Sequence, residues 1–263
     1  MTTKKKASLN VGLLLLTFLV NFLGASGFIN GMSQADVSDK YHTLITPAGF
    51  TFSIWGIIYT LILVSVLWMV KNSERRSTKR LLESISPLFW LSLVSNMLWI
   101  VAFSFELIGL STIFIFIYLG ALLGILLKLK NLTVDGRWFF GISFGLNTGW
   151  LLIASMVNVA AFLVKVNWSG MGVSADVWAG LAIILSIVLA GIFQLLTKNA
   201  VLALPISWAF FGIWRALVQQ GGFLSLEILS ILALLLTLFI AIRGFIKNGN
   251  RVLPEVIDDK NKF

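Results

Sequence analysis

The chain has 263 residues, of which 58% are hydrophobic and only 12% charged, and its mean hydropathy is +0.95. A soluble core could not bury apolar segments of this length and number, so the composition excludes a soluble globular protein and predicts an integral membrane protein. The formal net charge of +9 would suit a nucleic-acid-binding protein, but Lys and Arg lie in the links between apolar segments, where they set membrane orientation, and no nucleic-acid partner is expected.

Eight apolar segments follow one another along the chain, and each is near the roughly 20 residues that a helix needs to cross a bilayer. They cover residues 9–29, 47–70, 85–105, 108–128, 138–164, 177–196, 200–219 and 223–245. Strand-like alternation is absent. We therefore predict an all-α, polytopic membrane helix bundle with about eight transmembrane helices, built as a single integral membrane domain over residues 1–263.

The basic residues support this number of crossings. With the N-terminus inside, 17 of the 20 Lys and Arg residues fall in links on the inner side, and only Lys40, Lys165 and Arg215 fall on the outer side. Both termini are therefore predicted to be cytoplasmic. An alternative for the start is a cleaved secretory signal, because "MTTKKK" precedes an apolar run and the small residues 24–26. The other seven segments keep their direction in either case.

Several of these segments carry aromatic and polar side chains at helical spacing, so that each set lies on one face of its helix. These sets are Phe52, Trp55 and Tyr59 in the second segment, Asn96 and Trp99 in the third, Asn147, Trp150 and Asn158 in the fifth, and Trp208, Phe211, Arg215 and Gln219 in the seventh. The plain interpretation is that they hydrogen-bond and pack between helices. The functional interpretation is that they converge on a cavity in the outer half of the membrane that fits a flat or apolar ligand. Pro47, at the predicted first turn of the second helix, would mark where the outer link ends.

Residues that could carry out catalysis or hold a metal are scarce. The single histidine, His42, lies in the outer link 31–46, and the chain has no cysteine and no cluster of acids. We therefore predict no catalytic site, no metal site and no cofactor. Arg215 and Glu227, at similar depths on either side of the 219–222 turn, are predicted to form a structural ion pair; the alternative is that they grip an anionic group of a ligand.

The segments "PAGFTFSIWGIIY" (47–59), "NMLWIVAF" (96–103) and "NTGWLLIASMVNVAAFL" (147–163) resemble motifs of the tryptophan-rich sensory proteins, also called the translocator protein or peripheral benzodiazepine receptor family. The resemblance covers residues 47–163, and 177–245 would be three additional helices. It implies binding or movement of porphyrins, sterols or similar apolar molecules, often by homodimers. By carry-over, the pocket candidates are Pro47, Phe52, Trp55, Asn96, Trp99, Trp150 and Asn158.

Together these observations predict a membrane protein that binds, and transports or senses, a hydrophobic aromatic small molecule such as a tetrapyrrole. An uncoupled exporter of lipid-like solutes is the nearest alternative. An intramembrane enzyme acting on lipid or isoprenoid substrates would require Glu227, Arg215 or His42 to be catalytic. A scaffold for partner helices is the remaining alternative.

Overall fold

The computed structural model describes residues 1–256 as a bundle of nine helices, within which there is no strand. The helices are α1 (Thr3–Ala25), α2 (Gln34–Lys40), α3 (Ile54–Lys71), α4 (Arg76–Ser104), α5 (Ile108–Asn131), α6 (Arg137–Lys165), α7 (Ala175–Thr197), α8 (Leu204–Gln220) and α9 (Leu224–Lys247). Two short 3-10 turns, Gly49–Ser53 and Gly170–Gly172, precede α3 and α7. The predicted all-α membrane bundle is confirmed.

Seven of the helices in the described part of the chain are long and apolar enough to cross a membrane. The seventh predicted segment is shorter than expected, because α8 has 17 residues and begins only after the turn at 198–203. α8 ends at Gln220 and is followed by Gly221, whose φ of +73° favours glycine.

Both ends of the described chain lie at the same end of the bundle. Lys4 Nζ lies 3.2 Å from a Glu74 carboxylate oxygen beside the α3–α4 turn. The Arg137 guanidinium, at the start of α6, donates to the Pro254 carbonyl. Chain ends at one end of the bundle require an even number of crossings, which agrees with eight segments. Lys260 and Lys262, two of the 17 basic residues predicted on the inner side, lie outside the described residues.

The helices pack around α6, which contacts α3, α5, α7 and α8. The most extensive neighbouring pairs are α4 with α5, α5 with α6, and α8 with α9. Gly149 of α6 allows the closest approach, because a Cβ atom there would collide with the Leu202 carbonyl oxygen just before α8. This arrangement leaves space between α3, α4 and α6 at the end opposite the chain termini.

The connection between α7 and α8 is buried, which is unusual for a loop. Asn199, Ala200 and Leu202 have no exposed surface, and the segment after α9 covers them. Ala200 N donates to Val252 O at 2.8 Å, and Leu253 packs over the α6 backbone at Gly141. The last described residues thus complete the bundle at this end.

Candidate functional site

A cavity of about 400 Å³ lies between α3, α4 and α6, beneath α2. Six of the predicted ligand-binding residues line it: Pro47, Phe52, Trp55, Trp99, Trp150 and Asn158. The remaining wall includes small apolar residues of α6, such as Ala154 and Ala161. Three of the four helical faces identified in the sequence therefore meet at one space, whereas the face predicted in the seventh segment, now α8, does not line it.

The aromatic rings contact one another across helices. The ring centroids of Trp55 and Trp99 are 6.3 Å apart, and those of Trp55 and Trp150 are 6.2 Å apart at an interplanar angle of 85°. Phe52 meets Trp150 edge to face, with centroids 5.9 Å apart. These separations are favourable for aromatic pairs, so the rings form a packed wall around the cavity.

Asn158 holds Trp99 in place. The Trp99 Nε1–H donates to Asn158 Oδ1 at 3.0 Å, while Asn158 Nδ2 donates to Ser111 Oγ at 3.0 Å and Thr112 Oγ1 at 2.7 Å. Asn158 is 3% exposed, and its amide is already bonded to α4 and α5. Its role is therefore to orient the indole, with little hydrogen-bonding capacity left for a ligand.

Tyr59, Asn96 and Asn147 do not line the cavity. They lie deeper, in a polar network that ties neighbouring helices together: Tyr59 OH donates to Asn21 Oδ1 at 2.7 Å, and Asn21 Nδ2 donates to Asn96 Oδ1 at 2.6 Å. Asn147 Nδ2 donates to Tyr118 OH at 3.0 Å. Polar side chains inside an apolar bundle satisfy one another in this way, which is the plain interpretation given above.

This network still supports the cavity wall. The Tyr59 ring stacks on Trp55, with centroids 5.0 Å apart and an interplanar angle of 24°. The hydrogen bond from Tyr59 to α1 thus fixes the ring on which Trp55 rests. Asn21 and Tyr118 were not identified in the sequence, because the partner of each lies on another helix.

The helix α2 covers the cavity and lies within residues 31–46, for which the sequence predicts only a link. Its lining residues are Gln34, Ala35, Ser38 and Asp39, followed by Tyr41. The local signal was a capping box, in which the Ser33 hydroxyl bonds the Asp36 amide and the Asp36 carboxylate bonds the Ser33 amide. Ser33 also holds the pKa of Asp36 below its usual value through these hydrogen bonds.

Glu106 ties α2 to the α4–α5 turn. Its carboxylate accepts from Lys40 Nζ at 2.7 Å and from Tyr41 OH at 2.6 Å, and Lys165 Nζ donates to its carbonyl. The hydrogen bonds from Lys40 and then Tyr41 lower the pKa of Glu106 from its usual value. Val37 packs beneath, fully buried against Phe103. The cover is therefore held by one exposed and two partly buried polar contacts above a small apolar contact.

Electrostatically, the cavity is nearly neutral. Among the described residues that line it, Asp39 is the only one that carries a charge, and none is Lys, Arg or His. The Trp150 indole N–H is buried without a hydrogen-bond partner in the structure, although its ring faces the space. Such a lining can hold apolar and aromatic surface but offers no cation for a carboxylate.

The structure places Pro47 differently from the sequence prediction. α3 begins at Ile54, and Pro47 instead precedes the 3-10 turn that carries Phe52. This turn is held by α8, because Ala48 N donates to Gly212 O at 3.1 Å and Trp208 Nε1 donates to Thr51 O at 2.9 Å. α8, which lines no part of the cavity, thus positions the Phe52 ring of the cavity wall.

The predicted ion pair between Arg215 and Glu227 is not formed in the structure. The described salt bridges do not include it. The Arg215 guanidinium lies 5.7 Å from the Trp214 ring centroid, where the ring face attracts it. Glu227 lies in the first turn of α9, where the helix dipole favours an acid. Each charge therefore has its own local compensation.

Comparison with known proteins agrees with this architecture. The model of a family described as TSPO-like protein matches residues 7–249, which includes α7 to α9 as well as the segments 47–163. No curated protein and no solved structure matches the chain. The chain belongs to the TSPO-like protein family and is a multi-pass integral membrane protein.

Proposed function

We propose that this TSPO-like membrane protein binds a hydrophobic, aromatic small molecule, porphyrin-, sterol- or lipid-like, in the cavity beneath α2. The observation that carries the proposal is a cavity of about 400 Å³ walled by Trp55, Trp99 and Trp150 from three helices. Small-molecule sites are typically clefts of about 300–1,000 Å³ with mostly apolar and aromatic walls.

Binding without catalysis fits the residues present. In residues 1–256, no group of three or more His, Cys, Asp or Glu side chains could hold a metal ion. His42, Arg215 and Glu227, which an enzyme would require, are not among the cavity-lining residues. We therefore assign the protein a binding role, with sensing or transport of the ligand as its outcome.

Different helices line the cavity and support its wall. Every described cavity-lining residue lies between Ala25 and Ala161, whereas α8 holds the turn that carries Phe52. We propose that α1 to α6 form the binding unit and that α7 to α9 brace it. The family resemblance also implies a homodimer, which crosslinking in native membranes would test.

Quenching of tryptophan fluorescence by protoporphyrin IX tests binding, with the purified protein in lipid nanodiscs. Val157→Phe adds a ring inside the cavity, whereas Val188→Phe adds the same ring to the exposed face of α7. We expect saturable quenching in the wild type and in Val188→Phe, and about tenfold weaker affinity in Val157→Phe. Quenching without saturation, or equal affinities in the two variants, would refute the proposal.

Transport is the second candidate, and the way α2 is attached favours it. The cover is fixed through Lys40 and Tyr41 to Glu106, and contacts this close to water break and reform easily. Counterflow of labelled porphyrin in proteoliposomes separates transport from sensing. Accelerated exchange of the labelled porphyrin across the membrane, when it requires an unfilled cavity, supports transport. Saturable binding with no counterflow supports a receptor.

A further inference from the structure

A groove on the membrane-facing side of α1 and α3 adjoins the cavity. Its volume is about 370 Å³, and its lining includes Phe18, Asn21, Phe22, Tyr59, Thr60 and Leu63. Ala25, Gln34 and Trp55 line both the groove and the cavity. Phe22 is 61% exposed, so the groove opens toward lipid. The two spaces are thus neighbours separated by three side chains.

We propose that the cavity and the groove form one elongated site for a neutral lipophile with a flat ring and a flexible apolar chain, such as a prenylated quinone. The ring lies between the tryptophans, and the chain lies in the groove. This inference rests on the proposed function, because it assigns the ligand class of the same cavity.

The charges favour a neutral ring. A carboxylate moved into an apolar cavity must be paired or lose its charge, since isolated buried charges are costly. The described lining offers no cationic partner, and Asp39 would repel an anion near α2. A dicarboxylate tetrapyrrole could therefore enter only with its acid groups directed outward. A quinone ring has no charge and presents the same flat surface to the indoles.

The shape of the groove favours a chain. From Trp55 to Leu63 it follows α3 for eight residues, or about 12 Å at 1.5 Å per residue, toward the membrane interior. Of its four polar side chains, Tyr59 OH donates to Asn21 Oδ1 at 2.7 Å, Thr60 Oγ1 donates to Gly56 O of its own helix at 2.7 Å, and Gln34 lies at the junction with the cavity. The surface left for a ligand is mainly that of Phe18, Phe22 and Leu63. A single flexible apolar chain is the group that fits a narrow groove of this kind.

Gln34 lies at the junction and points to a carbonyl on the ligand. Its side-chain amide nitrogen is buried without a hydrogen-bond partner. This nitrogen packs against Gly24, where an added Cβ atom would lie only 2.7 Å from it. An unpaired buried donor costs free energy, so a rotation that offers it an acceptor is favourable. A ring carbonyl next to the chain attachment would supply that acceptor where ring and chain meet.

The experiment compares two probes that differ only in the chain: 2,3-dimethoxy-5-methyl-1,4-benzoquinone and its 6-decyl derivative. Saturable quenching of tryptophan fluorescence gives their affinities in nanodiscs, expressed per mole of lipid. Thr60→Phe fills the groove, whereas Val64→Phe adds the same ring one turn further along α3, outside the groove. We expect Thr60→Phe to weaken the decyl probe about tenfold and to leave the chainless probe unchanged. Val64→Phe should change neither.

Equal affinities of the decyl probe in the two variants would overturn the inference and would mean that only bilayer lipid occupies the groove. Equal weakening of both probes by Thr60→Phe would also overturn it, since the ring site would then have been disturbed. If Thr60→Phe does not fold, Leu63→Phe fills the same groove. Should the chainless quinone and protoporphyrin still saturate and both lose affinity in Val157→Phe, the proposed function stands and only the groove assignment fails.

Discussion

Replacing Asn158 tests how the cavity wall is built. Asn158→Leu keeps a similar volume and removes the amide that joins α6 to α4 and α5. Ser111 Oγ and Thr112 Oγ1 would each retain a hydrogen bond to Ile108 O at 2.8 Å. The Trp99 indole N–H, now 3.0 Å from Asn158 Oδ1, would be left without a partner.

The expected loss of stability follows from these bonds. Interhelical hydrogen bonds inside membranes average about 0.6 kcal/mol each and reach about 1.7 kcal/mol. A buried donor left unpaired costs about 1–3 kcal/mol. Since Asn158→Leu removes interhelical bonds and leaves one indole N–H unpaired, we expect the free energy of unfolding to fall by about 1–3 kcal/mol. Trp99 should also lose its fixed orientation, and affinity for protoporphyrin should fall.

Reversible unfolding in mixed detergent micelles, followed by circular dichroism during titration with sodium dodecyl sulfate, measures this change. Ser155→Ala is the matched control on the same helix, because Ser155 is equally buried but bonds only its own helix, at Leu151 O. We expect the control to change stability by less than about 0.5 kcal/mol. If Asn158→Leu behaves like Ser155→Ala, the amide does not hold the wall together and the reasoning is wrong.

Three further substitutions have defined outcomes. Because the folded pKa of Glu106 is lowered, its contribution to stability is complete above about pH 4.5 and is lost as the pH falls through the folded pKa. Glu106→Gln should therefore lower the unfolding temperature at pH 7, with the difference from wild type shrinking below pH 4.5, and a pH-independent difference would contradict this. Gly149→Ala should cost about 1–3 kcal/mol or more because its Cβ meets the Leu202 carbonyl, whereas Gly120→Ala, with open space around it, should be nearly neutral. Gln34→Leu should raise the unfolding temperature of the ligand-free protein, since it removes an unpaired buried donor, and a lower temperature would show that the amide is satisfied.

The sequence predicted the helices well because membrane length and hydropathy leave few alternatives. Helical spacing also predicted that the faces with Trp55, Trp99 and Trp150 meet, but it included the α8 face with Trp208, which lines no part of the cavity. It could not separate wall residues from bracing residues. Asn96 and Asn158 lie on similar faces, yet only Asn158 reaches the cavity, and depth along a helix depends on tilt and partners.

Two other features needed the fold itself. α2 is seven residues long, which is too short for a hydropathy signal, so its capping box was the only sequence pattern that indicated a helix there. Arg215 and Glu227 are near each other in the chain, but each is compensated locally, by Trp214 and by the α9 dipole. Their proximity in the sequence and their similar depth predicted that the two side chains pair. Whether they can pair depends on how α8 and α9 are rotated about their own axes.

The buried turn between α7 and α8 has a consequence for the order of assembly. Asn199 can bond the Gly141 carbonyl as soon as α6 and α7 are in the bilayer, but the Ala200 amide must wait for Val252, some fifty residues later in synthesis. Until then the Ala200 amide lacks its hydrogen-bond partner. A fusion that displaces the residues just after α9 would therefore disturb the end of the bundle that holds the chain termini, which lies opposite the cavity walled by Trp55, Trp99 and Trp150.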